Sequence, residues 1–169
     1  MNSLSIRKPA VAGMFYPDDP AELGALVRGL LKEAKFEGVV PKAVIALLSA
    51  LYFHRITTEI PHDVSIALPR GTARPRLAWP PLSVYWFSTA MYAIGIETRD
   101  RDGVPLRVYS AAKTVVDCFR FRNRLGTDVA VEALRNGLEE RLFTPSDLVR
   151  LASACRMQTV VRPYLEALQ

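Results

Sequence analysis

The order of two hydrophobic periodicities along the chain limits the architectures that it can adopt. Short or alternating apolar runs, typical of strands, lie at 63–69, 82–88 and 93–110, and the last of them divides around the hairpin pair Asp102-Gly103. Beyond this point the apolar residues recur at helical spacing. Because strands cluster before helices, we predict an α+β fold with a short mixed or antiparallel sheet followed by a C-terminal helical cluster.

Capping residues divide the C-terminal part into four predicted helices, over residues 110–126, 127–142, 144–156 and 159–168. Ser110, Thr127 and Thr144 are the expected caps of the first three. Pro145 follows at the first helical position, and an acid three residues after the cap completes a capping-box pattern. Pro163 is expected to kink the last helix or to reset its start.

The N-terminal part predicts an appended amphipathic helix that begins at Asp19 and Pro20 and ends near Gly38. Residues 42–54 are predicted as another helix, because this apolar run is too long and too rich in Leu and Ala for one strand. The stretch at 41–46, taken alone, could instead end a buried strand.

Composition favours a globular protein of a reducing cytoplasm. Half of the residues are apolar and 23% are charged, which is ordinary for a chain that buries a core. The longest apolar run is shorter than the roughly 20 residues of a membrane span, and the N-terminus has no apolar core of secretory type. Cys118 and Cys155 lack CxxC spacing and cannot make a disulfide framework. We therefore expect a cytoplasmic protein without membrane association.

Arginine carries the excess positive charge of the chain. The net charge is +5, and of the sixteen basic residues in 47–169 fifteen are Arg. Arg binds phosphate and carboxylate bidentately, which suits a nucleic-acid or acidic partner, although a codon usage that favours Arg explains the same excess. Two clusters are the candidate binding residues: Arg70, Arg74 and Arg76 in a loop without acids, and Arg120, Arg122 and Arg124 near a helix end.

Both clusters have simpler interpretations, and so do the aromatic residues near the first one. Cations at the end of a helix complement its dipole; there Arg120 and Arg124 would share a face and Arg122 would point away. Trp79, Tyr85 and Trp86 could be stacking platforms for bases, but aromatic residues of strands and turns are more often part of the core.

Catalytic and metal-binding patterns are weak. His54 and His62 are eight residues apart, which fits no common zinc pattern; His54 is expected to end a helix where its ring meets free carbonyls, and His62 to precede a strand. Ser110 and Lys113 have Ser-x-x-Lys spacing, but companion motifs are missing, so a helix cap and an i,i+4 pair of Lys113 with Asp117 are the better interpretation. We expect no catalytic residue, no metal and no cofactor.

The opening of the chain resembles the Memo family, also called AmmeMemoRadiSam system protein B. The segments "RKPAVAGMFYP" and "PKAVIA", with a Leu-rich helix between them, carry this resemblance over residues 1–46. In that family a PHAGY-type segment follows and brings a histidine to a metal-type site, whereas "LLSALYF" stands here.

From about residue 41 onward the chain resembles the AbiEi family of antitoxins, described as transcriptional regulators of viral defence systems. The segments "SALYFH", "IPHDVSIALPRG" and "YSAAKTVVDCF" carry the resemblance, which continues to the last residues. We therefore predict a Memo-like fragment at 1–40 and an AbiEi-like C-terminal domain at 41–169, with a join within 41–46. The family's winged helix-turn-helix, which binds operator DNA, would precede this domain, and the Memo-like segment occupies its place.

The resemblance implies a non-enzymatic type IV antitoxin or transcriptional regulator that counters a nucleotidyltransferase toxin. Because the expected DNA-reading head is missing, DNA binding should be weak and indifferent to sequence. The alternatives are a Memo-like protein and a chimeric gene product without a cellular function.

Overall fold

The computed structural model of the chain describes residues 43–76, 79–101 and 104–168, and five strands in these ranges form one sheet. The strands are β1 (Val44–Ile45), β2 (Val64–Pro69), β3 (Leu82–Phe87), β4 (Ile96–Arg101) and β5 (Val104–Tyr109). Their order across the sheet is β3-β2-β1-β5-β4. The pairs β2–β3 and β1–β5 are parallel, and β1–β2 and β4–β5 are antiparallel. The predicted α+β fold is confirmed, with a mixed sheet.

Seven helices lie in the same described ranges: α1 (Leu47–His54), α2 (Thr89–Ala93), α3 (Ala111–Arg120), α4 (Arg122–Leu125), α5 (Thr127–Glu139), α6 (Pro145–Ala154) and α7 (Gln158–Glu166). The last five follow the sheet, as the C-terminal helical cluster predicts. Among the described residues, no helix combines the length and the apolar character that crossing a membrane requires.

The prediction of one helix over 42–54 is wrong in its first part. Val44 and Ile45 form β1, and α1 begins only at Leu47. Val44 pairs with Ala67 of β2, while Ile45 lies between partners on both sides, Ile66 of β2 and Val108 of β5. The β-branched pair thus lies in the middle of the sheet, where tertiary pairing outweighs the helical preference of the Leu- and Ala-rich sequence that follows.

The predicted helix over 110–126 is interrupted at Phe121, which separates α3 from α4. The Phe121 ring packs edge-on against Tyr85 and Phe87 of β3, with centroid distances of 5.0 and 5.6 Å. Phe121 has φ −101° and ψ 18°, outside regular helical values, so the chain bends where this ring enters the core.

The capping predictions are partly confirmed. Ser110 accepts a hydrogen bond from the Lys113 amide, and Thr144 and Asp147 form the reciprocal capping box with Pro145 at the first helical position. Thr127 is not a cap, because Gly126 with φ 101° occupies that position, as its positive φ suits glycine.

The helix predicted over 127–142 is shorter in the structure, and one of the two alternatives for Pro163 is excluded. The helix predicted to Leu142 ends at Glu139, before Arg141 with its left-handed φ of 55°. Pro163 does not reset the start of the last helix, since α7 begins at Gln158 and continues through the proline to Glu166.

The main core lies between one face of the sheet and the helices. Tyr85 and Phe87 of β3 and Tyr109 of β5 point into it, and every residue of α3 from Ala111 to Phe119 is buried. α3 contacts α1, α5, α6 and α7, so it is the central helix of the layer. On the other face of the sheet Ile66, Leu68 and Val84 form a second, smaller cluster that is separate from the helical core, as alternation along strands requires.

The predicted N-terminal helix lies outside the described ranges, and of the predicted join at 41–46 only residues 43–46 are described. The Asp102-Gly103 turn also lies outside these ranges, although Arg101 and Val104 pair across it as a hairpin requires.

Candidate nucleic-acid interface

The first arginine cluster lies in the connection between β2 and β3, and this connection is attached to β3. The Arg70 amide donates a hydrogen bond to the Phe87 carbonyl at one end of the strand (2.8 Å). At the other end, Arg74 Nη2 donates to the Leu82 carbonyl (2.8 Å). Between them, Trp86 Nε1 donates to the Thr72 carbonyl (3.1 Å). The arginine-rich connection therefore follows β3 along its length.

The second arginine cluster reaches the same strand from the helical side. The Arg124 guanidinium lies 4.5 Å from the centroid of the Tyr85 ring, in a cation–π arrangement. Tyr85 and Trp86 are consecutive on β3, so their side chains point to opposite faces of the sheet. The Thr72 carbonyl that Trp86 contacts and the Arg124 guanidinium therefore lie on opposite faces of β3.

β3 is the last strand in the sheet order, so no described strand pairs with its outer side. We call the exposed side chains around it the β3 surface, which comprises Arg70, Arg74, Arg76, Trp79, Trp86 and Arg124. Sequence spacing alone could not assemble this set, because the parallel pairing of β2 with β3 and the bend at Phe121 bring its two halves to the same strand, on opposite faces of it.

The other two arginines of the second cluster are bound to backbone carbonyls. Arg120 Nη2 donates to the Cys155 carbonyl at the end of α6, and its Nε is buried without a hydrogen-bond partner in the part of the chain that the structure describes. Arg122 Nη1 donates to the Phe119 carbonyl (2.9 Å). The expectation that Arg120 and Arg124 share a helix face is wrong, because the helix is interrupted between them. Arg124 is the one exposed arginine of this cluster, and Arg120 and Arg122 are partly buried.

Both tryptophans are exposed, which the core interpretation of these aromatics did not predict. Trp79 is 53% and Trp86 43% accessible to solvent, whereas Tyr85 is 4% accessible and belongs to the core. Burial raises the pKa of Tyr85, and the nearby Arg124 acts in the opposite direction.

The charge of this region is of one sign along the sequence. No Asp or Glu occurs between Asp63 and Glu97, a stretch that contains the connection and the whole of β3. Asp63 itself accepts a hydrogen bond from the Ser83 hydroxyl near the start of β3. The β3 surface is therefore a basic and aromatic surface, which is the combination that binds nucleic-acid backbone and bases.

The Ser-x-x-Lys pair is used within the fold. Lys113 Nζ lies 2.5 Å from Asp117 Oδ2, and 4.3 and 4.9 Å from the ring centroids of Tyr109 and Phe87. Ser110 Oγ accepts from the Lys113 amide (3.3 Å), so the predicted cap and the predicted i,i+4 pair are confirmed. The sequence did not indicate that this pair is buried; it gives only the i,i+4 spacing.

The histidines lie apart from the β3 surface and from each other. His54 ends α1 as predicted, but its Nε2 meets the Tyr109 carbonyl of β5 (2.7 Å) instead of a carbonyl of its own helix. Burial lowers its pKa, and the hydrogen bond to Tyr109 raises it to a smaller extent. His62 lies in a bend before β2, as predicted. Within the described ranges, no group of three or more His, Cys, Asp and Glu side chains is placed to hold a metal ion.

No protein-family model matches the chain, and no curated protein is significantly similar to it.

Proposed function

We propose that the chain is a non-enzymatic regulatory protein of the antitoxin type, similar to the C-terminal domain of the AbiEi family, and that it holds an acidic partner on the β3 surface. The observation that carries this proposal is the attachment of the Arg70–Arg76 connection to β3, beside the exposed Trp86. The motifs that resemble the family include parts of the same elements: "IPHDVSIALPRG" covers β2 and the start of the connection, and "YSAAKTVVDCF" covers most of α3.

The arrangement of Ser110 and Lys113 supports a non-enzymatic role. A lysine that activates a serine must bring its amine to the serine hydroxyl. Here the amine is directed to Asp117 inside the core, and the hydroxyl caps α3. Both groups therefore stabilise the fold.

The proposed functional partner is a nucleotidyltransferase-type toxin, whose effect this protein counters. Contacts between arginine and phosphate carry no sequence information. We therefore expect any binding of duplex DNA by the β3 surface to be weak, independent of sequence and strongly reduced by salt. A DNA duplex with an inverted repeat and its scrambled counterpart should bind equally.

Gene context and growth rescue test the proposal. A nucleotidyltransferase gene beside the gene for this chain is the expected arrangement, and co-expression of the chain should restore growth that the toxin inhibits. Reversal of Arg70, Arg74 and Arg76 to Glu should reduce the rescue, because it inverts the charge of the surface. A chain that never rescues growth from the adjacent toxin would refute the proposed function.

A matched control reverses three exposed arginines elsewhere, Arg135, Arg141 and Arg156, which changes the net charge by the same amount. The control should rescue growth as the unmodified chain does. Equal losses in the two triple variants would show that net charge, and not the β3 surface, determines the effect.

A further inference from the structure

We propose that the β3 surface binds unpaired nucleotides, with a base stacked on the indole of Trp86 and the neighbouring phosphates held by the arginines of the connection. This inference rests on the proposed function, because it names the acidic partner of the same surface: a single-stranded segment of nucleic acid.

The indole of Trp86 is exposed and held in place. Its side chain is 43% accessible, while Nε1–H donates to the Thr72 carbonyl (3.1 Å). The only polar atom of the side chain is therefore bound within the protein, and what the ring offers to a partner is apolar aromatic surface. A ring that is already oriented loses little conformational entropy when a flat partner stacks on it.

Arginines lie on both sides of this ring along the strand. The connection is attached at Phe87 through the Arg70 amide and at Leu82 through the Arg74 guanidinium. These two ends of β3 are about 17 Å apart at the usual rise per residue of a strand. Phosphates on both sides of a stacked base can therefore meet positive charge. Asp63, an acid near the start of β3, accepts a hydrogen bond from Ser83, whose side chain lies on the face of the strand opposite to Trp86.

The exposed aromatic surface favours unpaired nucleotides over a duplex. In a duplex the faces of the bases are covered by their neighbours, and only base edges and phosphates are accessible. Unpaired bases can be splayed out and stacked on aromatic side chains, and this stacking is tolerant of sequence because every base has a π-face. An acidic peptide would use the arginines but has no flat group that requires Trp86.

The two tryptophans of the chain are both on this surface, so intrinsic fluorescence reports on it directly. In a Trp79→Phe variant, Trp86 is the one remaining reporter. Oligothymidylate should quench its emission to saturation. An abasic strand of equal length, which has the phosphates without the bases, should bind through charge and leave the emission nearly unchanged.

Anisotropy of a labelled oligothymidylate measures the contribution of stacking to affinity. Trp86→Leu should weaken binding about 5- to 150-fold, which corresponds to the usual range for one stacked base. Trp86→Phe should retain most of the affinity, because it keeps a ring and removes only the hydrogen bond to Thr72. Neither substitution should change the affinity for the abasic strand, and urea unfolding of each variant verifies that it is folded.

Three outcomes would overturn the inference. Equal binding of oligothymidylate, abasic strand and duplex, unaffected by Trp86→Leu, would show a purely electrostatic surface and leave the proposed function intact. Tighter binding of polyglutamate than of oligothymidylate would assign the surface to an acidic protein. Binding of none of these probes at low salt would remove nucleic acid as the partner, and the growth-rescue experiment would then decide the proposed function separately.

Discussion

Lys113 and Asp117 form an ion pair in the interior of the protein, with Lys113 Nζ 2.5 Å from Asp117 Oδ2 and both side chains shielded from solvent. The ammonium also faces the rings of Tyr109 and Phe87, while Asp117 Oδ1 has no hydrogen-bond partner among the described residues. Desolvation of two charges is costly and offsets much of their attraction. The intact pair is therefore expected to add little to the free energy of unfolding. Removal of only one of the two charges should instead destabilise the protein.

We expect Lys113→Met to lower the free energy of unfolding by about 3–5 kcal/mol, because it leaves the Asp117 carboxylate buried without its counter-charge. Lys113→Met combined with Asp117→Leu should recover most of this loss, since neither charge remains. Urea denaturation of the three proteins measures both effects. The exposed pair of Arg162 and Glu166 is the control, and its removal should change stability far less. A double variant as unstable as Lys113→Met would contradict this account.

Asp117 should also make stability depend on pH. Burial raises the pKa of this carboxyl from 3.8 to about 6, against the opposing effect of Lys113. Between about pH 4 and about pH 6 the folded state therefore binds more protons at Asp117 than the unfolded state does. Its contribution to stability is fully present below this range and is lost as the pH rises through it. The difference in unfolding free energy between the unmodified chain and Asp117→Asn, measured across this range, should show this slope.

His54 contributes a slope of the opposite sign and must be separated from it. Burial lowers the pKa of His54 below 6.5, so the unfolded state binds the proton more readily there, and stability rises as the pH rises toward 6.5. Repeating the measurement in a His54→Gln background isolates the Asp117 contribution. The same slope with and without Asp117 would show that this carboxyl is not responsible.

Alanine substitutions at Gly95 and Gly71 separate the cost of backbone strain from the cost of a steric clash. Both glycines have positive φ, 72° and 85°, but a Cβ at Gly95 would lie 2.7 Å from Lys113 Cβ, whereas at Gly71 no atom of the described ranges lies within 4 Å of it. Gly71→Ala should cost about 1–2 kcal/mol for its left-handed backbone alone. Gly95→Ala should cost about 2–5 kcal/mol, since overpacking is added. Equal costs in thermal or urea unfolding would mean that β4 shifts away from α3 without penalty.

Arg120 should affect stability, whereas Arg74 should affect binding. Arg120 Nη2 donates to the Cys155 carbonyl and joins the ends of α3 and α6. Arg120→Met should lower stability by about 2 kcal/mol, the usual value for a hydrogen bond to a charged group, and leave oligonucleotide affinity unchanged. Arg74→Ala should reduce oligonucleotide affinity and lower stability less than Arg120→Met does, because the hydrogen bond from Arg74 to the Leu82 carbonyl is exposed to solvent. Reduced oligonucleotide affinity in a folded Arg120→Met protein would show that Arg120 takes part in binding.

Local chemistry made part of the fold predictable. The caps at Ser110 and Thr144, the Lys113–Asp117 spacing and the β4–β5 hairpin each depend on residues close in sequence. Features that depend on distant partners were missed. Val44 and Ile45 become a strand only because β2 and β5 pair with them, and α3 ends at Phe121 because β3 offers Tyr85 and Phe87 to its ring.

The candidate site was likewise predictable only where it depends on residues close in sequence. The arginines could be recognised from their spacing in the sequence, but their arrangement around β3 could not. The parallel pairing of β2 and β3 attaches the connection to β3, and no local signal indicates it. The exposure of Trp79 and Trp86 is likewise a tertiary property, because the same residue types in strands and turns are commonly buried.

Because β1 is short, the sheet consists of two long ladders that are joined by only a few paired residues. In the described ranges, the β3–β2 pair and the β5–β4 pair each have six residues in register, but they are joined through the two residues Val44 and Ile45. Few hydrogen bonds must break for the two ladders to separate at β1, whereas within each ladder hydrogen bonds extend along the whole length of both strands. In amide hydrogen exchange, the amides of β1 should therefore exchange before those of the β3–β2 and β5–β4 ladders. The β3 surface, which lies wholly within one ladder and the elements packed on it, would keep its geometry during such an opening.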